Sequence, residues 1–335
     1  LTREDEMHFL STTDWSPETL DALLEDAARI KAGRANGGLA GKTMGMLFFN
    51  QSLRTRTSFE VGMMQLGGSA VDLAVGGGIW GIETADGVIM DRDAAEHVKE
   101  AAPVLSRYFD VLGVRAFPGG RDWEADRTDP VLTAFARSAT VPVVNMESAI
   151  WHPCQALADA LTWRELGLVR GDRLVLTWAY HPKALPMSVP NSVMVAGAQR
   201  GLEVIVLRPG EFALDPEKVR LAREIASRTG GSVTQTDDPA ALEGAKVVYA
   251  KSWGSLAEYG RPEAERSIRE RYRSWQVTPS WMQRTGGARF MHCLPVRRNV
   301  VVADGVLDSA ASVVVDQAEN RLHVQKALLV RLLGG

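Results

Sequence analysis

Three short runs concentrate the side chains that could do chemistry: Ser52-Leu53-Arg54-Thr55-Arg56-Thr57, His152-Pro153-Cys154-Gln155 and His292-Cys293-Leu294-Pro295. The first mixes three hydroxyls with two guanidinium groups. Guanidinium forks match phosphate oxygens two at a time, and hydroxyls add single donors. A helical pattern, T-S-F-E-V-G-M-M-Q-L, follows at once. Helix N-termini offer N–H groups and partial positive charge, so the run suggests a phosphate site. The plain alternative is a capped helix with arginines facing solvent. The pattern G-x-x-x-x-G-K-[ST] is absent, so an ATP-type loop is not expected.

In the second run an imidazole can donate to a carbonyl oxygen, and Gln155 can add amide contacts. The alternative is a helix entry with Pro153 in its first turn. In the third, Cys293 as a thiolate would be a nucleophile, and Arg297-Arg298-Asn299 follows. Paired His and Cys residues raise the question of zinc, but there is no C-x-x-C and the spacing fits no ribbon. No metal site is expected. His8, His97 and His323 stand on helices or near termini and read as structural or solvated.

These runs need elements to hold them. Ser16-Pro17 opens a helix through Ile30, with Gly33 and Gly37-Gly38 ending it. Thr43 to Phe49 reads as a buried strand, broken by Asn50 and Gln51, so the first run sits at a strand-to-helix turn. A helix over 97–108, a strand Val111 to Phe117, a helix near 130–138 and a strand Pro142 to Met146 complete the first half. The second half reads as a helix over 153–166 and a strand Leu174 to Trp178, then a helix over 191–200. A strand Glu203 to Leu207, a helix near 216–229, strands Val247 to Ala250 and Phe290 to Cys293, and a helix over 319–334 follow. Strands alternating with helices imply α/β architecture: two domains, each a mostly parallel sheet flanked by helices. All three runs then fall at carboxyl ends of strands, where open α/β sheets bind ligands. Residues 72–93 read as a Gly-rich irregular loop, a length that is often functional.

Bulk properties narrow the class. The 335 residues exceed one ordinary core, and 45% hydrophobic with 24% charged content is typical of a globular chain. The net charge is -3 with no basic stripe, which argues against a nucleic-acid surface. Two cysteines make no disulfide framework, which fits a reducing compartment. No run is apolar enough to span a membrane. The polar start L-T-R-E-D-E-M-H lacks a signal pattern, so cytoplasmic residence is the expectation. The expected domain boundary lies near residue 150.

Together the three runs resemble the aspartate/ornithine carbamoyltransferase superfamily, whose members show S-x-R-T-R, H-P-x-Q and H-C-L-P in that order. The resemblance covers the whole chain. It implies that the first domain, 1–150, binds carbamoyl phosphate and the second, 151–318, binds an amine, with a last helix, 319–335, packing back on the first and without a cofactor. It also implies a homotrimer with active sites between subunits. Ser52, Leu53, Arg54, Thr55, Trp80, Arg115, His152, Gln155, Cys293, Leu294 and Arg321 would hold carbamoyl phosphate. Arg56, Arg115, His152 and Cys293 would act in catalysis.

The runs I-W-G-I-E, N-M-E and Y-A-K-S-W-G are similar to those of the N-acylornithine branch. The D-x-x-x-S-M-G run of ornithine enzymes is absent. Glu147, Trp178, Lys251, Leu294, Arg297 and Ala95 would then meet the acyl-ornithine. Acetyl-type enzymes carry a Glu where this chain has Ala95, and a Lys where it has Val301. A neutral residue would not repel a succinyl carboxylate. The expectation is therefore N-succinyl-L-ornithine as acceptor in arginine biosynthesis, with N-acetyl-L-ornithine, or another acceptor within the carbamoyltransferase superfamily, as the alternative. The Q-K-A-L-L ending is nearer the acetyl type.

Overall fold

The computed structural model describes residues 7–33 and 38–334. Gly37 and the first six residues, on which parts of the reading above rest, lie outside them. Contacts divide the chain into two units: Leu1–Gly119, Glu124–Leu157 and Asn320–Gly335, and Gly120–Trp123 with Ala158–Glu319. The division nearest residue 150 falls between Leu157 and Ala158, inside the helix Pro153–Glu165.

Among its described residues the first unit holds six strands: β1 (Thr43–Phe48), β2 (Ser69–Ala74), β3 (Gly81–Glu83), β4 (Ala94–His97), β5 (Val111–Arg115) and β6 (Val143–Glu147). β2, β1, β5 and β6 form a parallel sheet in that order, and β3 and β4 form a separate pair. β1, β5 and β6 are almost wholly buried, as expected of strands covered on both faces. Small residues let this core close. A Cβ at Gly113 would meet the Met146 sulfur and Met44 Cε at 2.7 Å, and one at Gly45 would lie 2.6 Å from the Phe109 ring.

The second unit holds β7 (Arg173–Trp178), β8 (Glu203–Leu207), β9 (Ser232–Thr236), β10 (Val247–Lys251) and β11 (Arg289–Met291). Their order is β11, β10, β7, β8, β9, all parallel. The helix Ser188–Gln199 is buried along nearly its whole length and packs on the helix Pro216–Thr229. Each unit therefore has a point where strand order reverses, between β1 and β5 and between β7 and β10. Crevices outside the carboxyl ends of strands at such points are where doubly wound sheets take ligands.

Three local readings change. Residues 72–93 are not one loop, because β2 runs to Ala74, β3 lies within, and β4 begins at Ala94. β9 and the helices Pro262–Glu270 and Pro279–Thr285 were not expected. β9 reads S-V-T-Q-T with only Val233 buried, so it carries little apolar signal. β11 ends at Met291, which puts His292 and Cys293 in the turn after the strand.

Candidate functional site

In the first unit, the helix Arg54–Gln65 starts directly beyond β1 because Ser52 accepts the Thr55 amide at 3.2 Å and Thr57 ties back to the Leu53 carbonyl at 2.8 Å. Thr55, Phe59, Gly62 and Met63 anchor its inner face. Leu53 stays 76% exposed, so the first turn is presented outward.

Arg321 gathers this region. Its guanidinium is buried and donates to Gln155 Oε1 at 2.9 Å and to Thr55 Oγ1 at 3.3 Å. It also lies 3.4 Å from His152 Nε2. Residues from the first run, the second run and the last helix thus share one guanidinium. Burial pulls Arg321 below the usual arginine range, the nearby Cys154 and Glu147 oppose that shift, and the residue remains a cation.

Arg115 ends β5 and pairs with Glu147 at the end of β6, both buried. A register shift beside Arg115 leaves Met146 unopposed, and Glu147 has φ 152°. The bulge re-aims Glu147, whose Oε2 also lies 3.6 Å from His152 Nε2. The imidazole therefore sits between a guanidinium and a carboxylate. Arg115 stacks on Phe117 at 4.6 Å, and its buried Nε–H meets no acceptor among the described residues. Such a donor costs about 1–3 kcal/mol if left unsatisfied, a cost an anionic oxygen removes. Cys154, in the same run as His152, is fully buried, and burial pushes its thiol up to about 12, so it is no nucleophile.

Arg56 is placed differently from expectation. It pairs with Asp72 of β2 at 3.0 Å and lies over Phe48 at 5.3 Å. One residue on from Thr55 the helix has turned by about 100°, so alternate arginines of the run face different neighbours. Trp80 stands just before β3, 60% exposed, with its indole N–H on Glu96 at 2.8 Å. Ala95 is an exposed residue of β4.

In the second unit, His292 Nδ1 accepts the Leu294 amide at 2.9 Å, and the His292 amide donates to Gln317 at 3.0 Å. Gln317 in turn donates to Asp159 at 2.7 Å and to the Tyr249 hydroxyl at 3.1 Å. Burial, then Asp159, drives that hydroxyl well above the ordinary phenol range. The turn leaves Leu294 at φ 54°, a conformation non-glycine residues take at a cost. Cys293 is half-buried beside it.

Lys251 ends β10, and Arg297 donates Nε–H to His181 Nε2 at 3.0 Å. His181 was not singled out from the sequence. Its ring is held at Lys183, and Arg269 donates to its carbonyl at 2.7 Å. Burial lowers its pKa, and Arg297, Lys251 and Arg269 push the same way. Arg269 is itself paired with Glu265 at 3.0 Å, so the unit offers Arg297 and Lys251 beside one neutral imidazole, a setting for a carboxylate. The signal lay in the run Tyr180-His181-Pro182-Lys183 after β7, but a lone His in a loop is uninformative until Arg297 is seen beside it.

Trp178 is a correction. It ends β7, but its ring is fully buried against Phe212 at 4.4 Å, and its N–H is taken by the Trp253 carbonyl at 3.0 Å. It is part of the core beneath the end of β7, with no face left open to a ligand. Val301 is likewise buried, among Val277 and Val302.

Comparison with known proteins gives the same pattern. Residues 7–165 match the family model for the aspartate/ornithine carbamoyltransferase carbamoyl-P binding domain, and 186–332 match that for its Asp/Orn binding domain. The chain is 48% identical to N-acetylornithine carbamoyltransferase of Xanthomonas campestris pv. campestris over 332 residues, 98% of each chain. It is 38% identical to N-succinylornithine carbamoyltransferase of Bacteroides fragilis, over 94% of this chain and 95% of that one. Its fold is similar, at TM-score 0.95 and 47% identity, to an alanine-for-glutamate mutant of N-acetyl-L-ornithine transcarbamylase crystallised with carbamyl phosphate and N-succinyl-L-norvaline. That match covers 97% of this chain and 99% of the other.

Proposed function

Because the chain belongs to the aspartate/ornithine carbamoyltransferase family and is a carbamoyltransferase, we propose that it carbamoylates the δ-amine of an N-acyl-L-ornithine, giving N-acyl-L-citrulline and phosphate. The observation that carries the donor half is the buried Arg321 with Thr55, His152 and Gln155 about it. Ser52 to Thr55, at the helix N-terminus, would cradle the phosphate, with Arg54 and Arg321 supplying charge. The neutral amine attacks the carbamoyl carbon. A C–N bond forms, charge develops on the carbonyl oxygen, and the bond to phosphate breaks. Arg115 and His152 are the donors for that oxygen, each worth roughly 3–4 kcal/mol when preorganised. The leaving phosphate takes the amine proton. Arg56 is assigned no part, given its pairing with Asp72. Cys293 and Leu294 would border the carbamoyl group, and Lys251, Glu147 and Arg297 would hold the amino-acid end of the acceptor.

Identity over nearly the full chain supports N-acetyl-L-ornithine as the acceptor, 48% against 38% for the succinyl enzyme. A second reading, N-succinyl-L-ornithine, rests on Ala95, where the acetyl type carries a glutamate. A related mutant with alanine for glutamate was crystallised with N-succinyl-L-norvaline, in line with that reading. Rates with the two acyl-ornithines and free ornithine decide. Preference for acetyl supports the first reading, preference for succinyl the second, and preference for free ornithine overturns both. Ala95→Glu should lower kcat/KM for the succinyl substrate far more than for the acetyl one, and equal losses would sink acyl contact at Ala95. The exposed Trp80, with Val88, Ile89 and Met90 also exposed, supports the reading that this segment covers the site of a neighbouring copy in a trimer.

A further inference from the structure

Asp129 stands where a helix cap should be and does something else. It precedes Pro130 at the start of the helix Pro130–Ser138, yet its side chain makes no capping bond, and its backbone is left-handed at φ 48°. Asp at that position ordinarily accepts an amide of its own helix. Here the carboxylate reaches across to the loop after β6. It accepts the Ser148 hydroxyl at 2.7 Å, the Ala149 amide at 2.7 Å and the Ile150 amide at 3.3 Å.

Ser148 continues the brace. Its buried hydroxyl accepts from Asn145 Nδ2 at 3.0 Å and from the Trp151 amide at 3.3 Å, and its amide donates to the Trp151 carbonyl at 2.9 Å. Asn145, fully buried, fixes both ends. Its Oδ1 accepts the Glu147 amide at 3.0 Å, and its Nδ2 also donates to the Leu10 carbonyl at 2.9 Å. The braced loop is the four residues Ser148 to Trp151, flanked by the two chemical groups that matter. Glu147, paired with Arg115, stands at one end, and His152 opens the Gln155 helix at the other, its carbonyl accepting the Gln155 amide at 3.0 Å.

We propose that Asp129 is a positioning residue of the transfer reaction: through Ser148 and the Ala149 and Ile150 amides it sets the span between Glu147 and His152, and thereby the aim of the imidazole at the carbamoyl oxygen. An ionised carboxylate accepting three donors makes short, strong bonds, and the strained left-handed backbone puts it within reach. The inference rests on reading His152 as a carbamoyl-phosphate side chain.

The test is a steady-state comparison of purified Asp129→Gly, Asp129→Asn and Ser148→Ala with the unaltered enzyme, alongside His152→Ala. Glycine takes the left-handed backbone freely, so Asp129→Gly removes the carboxylate without new strain. A misplacement of about 1 Å can cost on the order of a hundredfold in rate. Asp129→Gly should therefore lower kcat by about tenfold or more, with the KM for carbamoyl phosphate changed by less than about threefold. Asp129→Asn, which keeps an acceptor for the two amides, should restore most of kcat. If Asp129→Gly does not fold, Ser148→Ala serves, and it should lower kcat in the same way. Unaltered kcat in Asp129→Gly or Ser148→Ala, or failure of Asn to rescue, overturns the proposal. Full activity in His152→Ala would overturn the reading of His152 instead, and so separates the two failures.

Discussion

A guanidinium buried among neutral partners is an expensive way to hold three side chains, unless it serves an anion. Arg321 is such a group. Its planar fork reaches Gln155, Thr55 and His152 in different directions. A lysine has one point charge and cannot span them. Arg321→Lys should therefore lower kcat/KM by about a hundredfold, the equivalent of roughly 2.7 kcal/mol of lost transition-state binding. Retention of more than about half the activity in steady-state assays would show that charge alone suffices there. At this scale the sequence was readable where type and spacing act together. S-L-R-T-R-T announced itself as a donor run, whereas His152 and Gln155 gained weight only beside the other runs, and Arg321 came from the family resemblance. The roles of alternate arginines did not show, because helix rotation sends Arg56 to Asp72, and only the fold supplies Asp72.

Turns after strands carry the remaining chemistry, and their legibility was uneven for a physical reason. β1, β5, β7 and β8 are buried on both faces and read as apolar runs, so their ends were placed within about two residues. β9 is polar and was missed, and β11 is three residues long and was shifted. That shift matters, since it moves His292 and Cys293 out of the strand and into a turn pinned by Gln317. The loop after β7 shows the converse. Trp178 was expected at the ligand and is core, and His181, three residues on, faces Arg297. Neutral His181 accepts from Arg297, and a protonated ring would oppose it while adding charge beside Lys251 and Arg269. Its pKa lies below the ordinary 6.5 of histidine. Expressed per neutral-amine form of the acceptor, the KM for the acyl-ornithine should thus be flat above pH 6.5 and rise as pH falls below it. The sign for folding agrees. A histidine held neutral in the fold takes its proton first when unfolded, so its stabilising contribution is present above 6.5 and declines as pH falls through the window below. An acceptor KM constant down to pH 5 would remove His181 from that role.

On the scale of the molecule, two all-parallel main sheets place every candidate residue named from a strand end on the carboxyl side. Parallel strands require crossover helices, and those helices begin where ligands bind, so one topological rule supplies both framework and site. That much followed from alternating strands and helices alone. The assignment of Asn320 onward to the first unit did not follow from any local pattern, since the helix Val314–Leu333 is continuous through that point.

The segment before the first helix has a protective part to play. Phe9 bridges Val144, with its amide on the Val143 carbonyl and its own carbonyl taking the Asn145 amide, each at 2.9 Å. His8 accepts the Val143 amide at 3.0 Å, and Trp15 packs on Phe9 at 4.7 Å. β6 is the outermost strand of its sheet, and these few residues shield its open hydrogen-bonding rim. Exposed rims of that kind recruit other chains into aggregates. A version of the protein starting at Pro17 should scatter light on mild warming, well before the 335-residue chain does. Equal clarity of the two on the same temperature ramp would mean the rim is guarded by other means.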